Sequence, residues 1–414
     1  MDAEIICVGS EILIGDILNT NSKYISEKLT NFGINIFWHT SVGDNKTRLK
    51  QTLEIALKRS KLIFITGGLG PTQDDITKEV LAETIKLELI QNETIKQELI
   101  EKFNKKKIKM PLNNLKQAKM FTNAILFKNY NGTAPGFAIT LNKSNIIICL
   151  PGPPNELKPM FENEVVPFLK KLKNDIIKSK NIYIYGLTES EIDEKIEKLL
   201  QLKNPTVGIY AKLGQIRLRI SCKAESETKC DELIKPILDE IKLKFKHHIF
   251  GIDIDSMENA LVQTAIKNDK TIAVAESCTG GLIASKIVSI KNASKCFNFA
   301  TVCYNNEMKQ KILKIDSKIL SKFGAVNAKV AQQMASNVRI ISNADIGIST
   351  TGIAGPGGEE SSLKPIGLVF VGLSVKNKTL AFKLNLSNKQ RNEIINLTAI
   401  FAMNSARQII KNLN

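Results

Sequence analysis

Short apolar runs alternate with amphipathic stretches of helical period through the first part of the chain. Glu4–Val8 reads as a strand, then a glycine turn leads to a helix around Thr20–Phe32. Ile34–Trp38 is a second strand, Lys46–Lys58 a second helix, and Leu62–Thr66 a third strand that breaks into Gly67-Gly68-Leu69-Gly70-Pro71. Ile146–Leu150 is a further buried strand, closed by Pro151-Gly152-Pro153-Pro154 and followed by a helix around Asn155–Leu169. This βαβαβ rhythm predicts a mostly parallel sheet covered on both faces.

The lysine-rich run Lys170–Lys180 reads as a weakly structured linker. Beyond it, Asn181–Tyr185, helical Glu189–Leu200, Thr206–Ala211, Gln215–Cys222 and helical Glu227–Leu243 suggest a small α+β unit ending near His247–Gly251. A helix over Met257–Asn268 introduces the apolar run Thr271–Val274, and the alternation returns. Strands are expected at Phe299–Tyr304, Asp345–Thr350 and Leu368–Val375, with a closing helix over about Arg391–Ile410. The pattern predicts an α/β protein of three domains. Two doubly wound α/β domains, residues 1–170 and 254–414, are joined by a small α+β domain, residues 171–253.

Composition narrows the class. A hydrophobic content of 43% and a charged content of 24% suit a soluble globular chain, and no apolar run is long enough to span a bilayer. The seven cysteines are odd in number and form no CxxC pair, which argues against a disulfide frame or a zinc site. The first residues lack the layout of a signal peptide, so the expected location is cytoplasmic with reduced thiols. The net charge of +17 is nearly all lysine spread along the chain, and nucleic acid is not expected as a partner. The three histidines, His39, His247 and His248, lie away from every glycine-rich motif, so any catalytic base must be another residue.

Chemistry concentrates at strand ends. Ala275-Glu276-Ser277-Cys278-Thr279-Gly280-Gly281, resuming as Leu282-Ile283-Ala284-Ser285-Lys286, reads as strand, tight turn and helix start. A serine there lies beside the N–H groups of a helix N-terminus, which stabilise an anion or oxyanion; it equally suits a helix cap. Tyr304-Asn305-Asn306-Glu307-Met308-Lys309 places a phenol and an ammonium at another strand end, and Ser349–Gly358 is a glycine loop rich in backbone donors. A lysine near other cations or in a dry pocket can deprotonate serine; on an exposed helix it is merely solvated. Cys278 beside Ser277 reads as a packing residue, since no histidine is near to activate it.

In the first domain, Gly9–Asp16, Gly67–Asp75 and Asn131–Gly136 converge on one sheet edge. Their glycines admit phosphate oxygens to the backbone, and Asp74 and Asp75 are hard oxygen ligands for a divalent cation.

The Gly67–Asp75 and Asn131–Gly136 segments resemble the molybdopterin-binding fold, and Leu150–Glu156 narrows the resemblance to the amino-terminal domain of the CinA family. The resemblance implies metal-dependent hydrolysis of ADP-ribose, with Asp74 and Asp75 holding a divalent ion of the Mg, Mn or Co class. It assigns ligand contacts to Ser10, Glu11, Asp16, Asp44, Gly68, Gly70, Thr72, Gly132 and Thr133. Ala275–Gly281, Tyr304–Lys309 and Thr351–Gly358 resemble the family's carboxy-terminal domain, which implies deamidation of nicotinamide mononucleotide without a cofactor. Ser277 is then the nucleophile and Lys309 the base, with Tyr304 and Thr351 in the active site. Arg391, Thr279, Gly280, Gly352, Ala354 and Gly355 would contact substrate. The oxyanion donors are backbone N–H groups of Ser277–Thr279 or of Gly352–Ala354. The middle domain is similar to one described in the family as KH-like but lacks a Gly-x-x-Gly clamp, so a spacer or homodimer contact is expected of it. The alternatives are a molybdopterin-handling protein and a non-enzymatic competence or DNA-damage factor.

Overall fold

A computed structural model describes residues 2–141, 145–172, 176–356 and 364–413. The chain divides into two compact units, one of Met1–Lys178 with Cys222–Glu232, the other of Ser179–Ser221 with Leu233–Asn414.

In the first unit the strands are β1 (Asp2–Val8), β2 (Asn35–Val42), β3 (Leu62–Thr66), β4 (Leu89–Gln91), β5 (Lys119–Phe121), β6 (Ile125–Phe127), β7 (Gly136–Leu141) and β8 (Asn145–Leu150). Six of them form one sheet in the order β2-β1-β3-β8-β7-β6, and β4 pairs with β5. The β2-β1-β3-β8 run is parallel, while β7 and β6 are antiparallel additions. Successive side chains leave a strand on opposite faces, and the core divides accordingly. Ile5, Cys7, Phe64 and Ile148 pack below with Leu29 and Phe161, whereas Ile6, Val8, Ile63 and Ile65 pack above with Leu53 and Leu81. Burying each such side chain stabilises the fold by about 1.5–3 kcal/mol.

Strands β9 (Ile176–Ile184), β10 (Thr206–Lys212), β11 (Gln215–Ala224) and β12 (Ile249–Ile252) form a sheet in the order β10-β11-β9-β12. The last strands are β13 (Ile272–Glu276), β14 (Phe297–Val302), β15 (Ile346–Gly352), β16 (Leu368–Val375) and β17 (Lys378–Asn385), in the order β14-β13-β15-β16-β17. Here β14, β13 and β15 are parallel, and β16 and β17 run antiparallel. The structure is α/β with mixed sheets, and in each large sheet the parallel strands end on a common edge. Ligands of such sheets bind at that edge.

The run 170–180 is not a simple linker. A helix extends through Lys171, β9 begins at Ile176, and residues 173–175 lie outside the described residues. Ile177 is anchored against Gly33, whose missing side chain leaves the room it fills. The helix expected over Asn155–Leu169 is Pro154–Met160 and Val166–Lys171 joined by one π turn, Phe161–Val165. Pro167, with no N–H to donate, accounts for a loosened ladder there.

Candidate functional site

Ser277 follows β13 directly. Its N–H donates to Thr350 O at 3.1 Å, fixing the strand exit against β15. Gly280 and Gly281 then turn the chain at φ 61° and 97°, a left-handed pair that a side chain would strain. The Leu282–Val288 helix begins there, but its N-terminus is not free. The fully buried Glu276 carboxylate accepts from Gly281 N at 3.0 Å, Ile283 N at 3.1 Å and Ala284 N at 2.9 Å. The helix start expected to serve a substrate anion is therefore spent on the protein's own carboxylate, which needs those donors once it leaves water.

Lys309 sits on the Asn306–Lys311 helix, whose start is capped by Asn305. Only 1% of it is exposed. Its Nζ donates to Ser277 Oγ at 3.0 Å, Cys303 O at 2.9 Å and Tyr304 O at 3.1 Å. Burial lowers its proton affinity below that of an ordinary lysine. Three oxygens around one nitrogen suit both charge states. An ammonium donates to all three; a neutral amine keeps two N–H groups for the carbonyls and turns its lone pair to the serine.

Tyr304 reaches the lysine through its carbonyl and not its phenol. The side chain is 64% exposed, and its hydroxyl accepts from Arg391 Nη2 at 3.3 Å. Arg391, at the start of the Arg391–Lys411 helix, also donates through Nη1 to Gly355 O. Thr279 is buried and its hydroxyl lies 2.7 Å from that of Thr350. Thr351 points away, donating to Ala325 O at 2.9 Å, because neighbours on a strand face opposite sides. Gly352 closes β15 opposite Val369, Ile353 N is taken by Leu368 O at 2.9 Å, and Ala354 is buried. Gly357 and Gly358 of the expected loop lie outside the described residues. Cys278 packs in the apolar core with Val274 and Ile283, and burial pushes its thiol up to about 12, so it stays protonated at neutral pH.

Thus Ser277 and Lys309 meet, Thr279 lies beside them, and Tyr304, Arg391 and Gly355 form a second linked group; Thr351 joins neither through its hydroxyl. Glu276 and Thr350 were not singled out from the sequence. An acidic residue closing an apolar strand just before a glycine pair was the available signal, since a buried charge must be paired.

In the first unit a cavity of about 480 Å³ opens at the sheet edge. Glu11, Asp44, Gly68, Gly70, Asp74, Asp75 and Thr133 line it, as does Glu156, whereas Ser10, Asp16, Thr72 and Gly132 do not. Ser10 stands behind Asp44, its N and Oγ each 2.9 Å from Asp44 Oδ2. Thr72 braces Asp75 through its N–H at 2.9 Å and its hydroxyl, and holds the Asp74 carboxyl below the usual carboxylate range. Asp16 is exposed, with its N–H on Glu11 O. Gly70 and Gly132 leave room for Asp75 and Glu156: a Cβ would meet their carboxylates at 2.4 and 2.1 Å.

Asn129, 3% exposed, holds the glycine turn together. Its Oδ1 accepts from Asn131 N and Gly132 N, and its Nδ2 donates to Ala134 O and Glu156 Oε2. Five carboxylates (Glu11, Asp44, Asp74, Asp75 and Glu156) face one space. Hard oxygens of this kind suit a divalent cation, and an anionic ligand would need one to enter. Among the described residues no group of three or more His, Cys, Asp or Glu is arranged to hold a metal ion. Among them, too, no helix is long and apolar enough to cross a membrane.

Three family models match in succession. Residues 4–171 match the "Probable molybdopterin binding domain", 179–251 the damage-inducible protein CinA KH domain, and 254–410 the CinA C-terminal domain. The chain is 46% identical over 410 residues to a competence-damage inducible protein of Thermoanaerobacter pseudethanolicus, covering 99% of this chain and 98% of that one. It is 44% identical over 411 residues to a CinA-like protein of Kosmotoga olearia, covering 99% of both. A crystal structure of CinA from Thermoplasma acidophilum is similar at 31% identity, covering 40% of this chain and 98% of that one, with a TM-score of 0.38.

Proposed function

The chain belongs to the CinA family, with a molybdopterin-binding-like domain in front, and on that premise we propose that it is a bifunctional hydrolase of pyridine nucleotides. The carboxy-terminal domain deamidates nicotinamide mononucleotide to nicotinate mononucleotide and ammonia. The amino-terminal domain cleaves the diphosphate of ADP-ribose with a divalent metal ion.

One observation carries the amidase: a buried lysine amine 3.0 Å from a buried serine hydroxyl, held by two main-chain carbonyls. The neutral amine takes the Ser277 proton as Oγ attacks the amide carbon. It returns that proton to the departing nitrogen, and ammonia leaves an acyl-serine. Water, deprotonated by the same amine, then releases the acid product. Arg391 suits the substrate phosphate, because hydrogen bonds to Gly355 and Tyr304 fix its guanidinium and leave further N–H groups to donate.

For the diphosphatase, the acid-lined cavity is the support. Asp74 and Asp75 would hold the cation, which when bound supplies Lewis-acid polarisation of the diphosphate. Thr72 and Ser10 keep the Asp75 and Asp44 carboxylates aimed.

Incubating the purified chain with each nucleotide, with and without divalent ions, tests both halves. Ammonia from nicotinamide mononucleotide without metal and ADP-ribose cleavage only with metal are expected. Failure of either product to form overturns that half.

A further inference from the structure

Glu276 decides which main-chain donors stay available beside the nucleophile. From Ser277 to Ala284 almost every N–H is committed. Ser277 N is on Thr350 O, Gly280 N on Ser277 O, Leu282 N on Thr279 O, and those of Gly281, Ile283 and Ala284 on the Glu276 carboxylate. Among the described residues, only the N–H groups of Cys278 and Thr279 in this stretch donate to no oxygen. On the opposing loop the Ile353 N–H is likewise taken.

We infer that the Cys278 and Thr279 N–H groups form the oxyanion hole for acyl transfer at Ser277, and that Glu276 is the positioning residue that keeps them there. This rests on the amidase reading. As the Ser277 Oγ–carbon bond forms, its proton passes to Lys309 Nζ and the carbonyl π pair moves onto oxygen. That oxygen meets the two N–H groups. On collapse the carbon–nitrogen bond breaks and the proton leaves with ammonia. Donors just after the nucleophile on a tight strand-to-helix turn are suitably placed for this work. Hydrogen bonds to a carboxylate are the stronger kind, and three of them pin the far side of the turn. With Glu276 occupying the helix start, no other N–H of the Ser277–Ala284 stretch competes for the oxyanion.

Glu276→Gln removes acceptor capacity and turns an NH₂ toward the waiting N–H groups. Its kcat for ammonia release is expected to fall about 100-fold, with KM for nicotinamide mononucleotide within about threefold of the parent. The probe is the substrate analogue with an aldehyde in place of the amide, which adds Ser277 to form a tetrahedral oxyanion. Its affinity should fall in step with kcat/KM, while the acidic limb of the pH profile, set by Lys309, stays in place. An unchanged kcat, or a loss confined to KM with aldehyde affinity intact, overturns the assignment. Should Glu276→Gln not fold, a main-chain ester in place of the Thr279 amide removes the N–H alone. A kcat drop of about tenfold or more is then expected, and parental kcat overturns the assignment. A parent protein that releases no ammonia overturns the amidase itself; an active parent matched by both variants overturns only the oxyanion hole.

Discussion

Lys309 Nζ lies 3.0 Å from Ser277 Oγ although 32 positions separate the two residues. The sheet makes this meeting. Strands β13 and β14 are parallel neighbours in register at Glu276 and Val302, and Cys303 N donates to Glu276 O at 2.8 Å. The chain therefore leaves both strands at the same height. Ser277 departs from one, and the carbonyls of Cys303 and Tyr304 that hold the lysine depart from the other.

Replacing Ser277 by Ala should lower ammonia release from nicotinamide mononucleotide by at least about 10³-fold, because no other activated nucleophile stands in the site. Cys278 does not substitute, its thiol being held protonated by burial. ADP-ribose cleavage should match the parent. Assaying both products from one preparation checks this, and equal loss of both would contradict separate sites.

Lys309 acts as a base only when neutral, and burial places its pKa below the ordinary 10.5. Activity should rise with pH along an acidic limb whose midpoint lies below that value. Lys309→Arg, which keeps the charge and cannot deprotonate, should abolish turnover at every pH. The same shift has a sign for stability. Between the folded and unfolded pKa values the unfolded chain binds more protons, so this residue makes stability rise with pH there. A pH–rate profile without the limb would remove Lys309 from its role.

Much of this was legible in the sequence. Leu62–Thr66 and Leu368–Val375 are strands with the expected bounds, and Ser277 and Gly67 directly follow strands as their patterns suggested, while Lys309 stands on the helix beyond β14. β14 ends two residues early, at Val302, because Cys303 and Tyr304 turn their carbonyls to Lys309. Periodicity cannot register such a tertiary tether. Nor does it separate Thr350 from Thr351: both are fully buried, and only strand register says which hydroxyl faces Thr279. Asn129 escaped notice because an Asn near glycine reads as turn chemistry, while its role depends on reaching Glu156.

Changing Asp74 and Asp75 together to Asn should remove metal-dependent ADP-ribose cleavage and leave ammonia release intact. Asn keeps the size and weakens only the anionic ligation that a hard cation requires. Titrating the double variant with a divalent ion and following AMP formation checks this. Persistent metal-dependent cleavage would free both residues of the ligand role.

Asn129→Ala removes four hydrogen bonds inside the first unit and leaves the Glu156 carboxylate without its amide donor. A destabilisation of about 2–4 kcal/mol is expected in urea unfolding, together with a raised KM for ADP-ribose as the Gly132–Thr133 turn loosens. Ammonia release at temperatures where the variant is folded should be unaffected. A wild-type unfolding curve would show that the turn holds itself.

Apart from Ser277 Oγ, the oxygens that hold Lys309 Nζ belong to peptide carbonyls and not to side chains. Peptide oxygens survive almost any replacement of the residue that bears them. Position 304, 64% exposed, can therefore vary while its carbonyl goes on holding Lys309, whereas Cys303 is buried in the core and its side chain is not free to change. On the proposed amidase reading, Tyr304 would meet substrate through its ring and hold the lysine through its carbonyl, so the ring is free to drift while the carbonyl stays put.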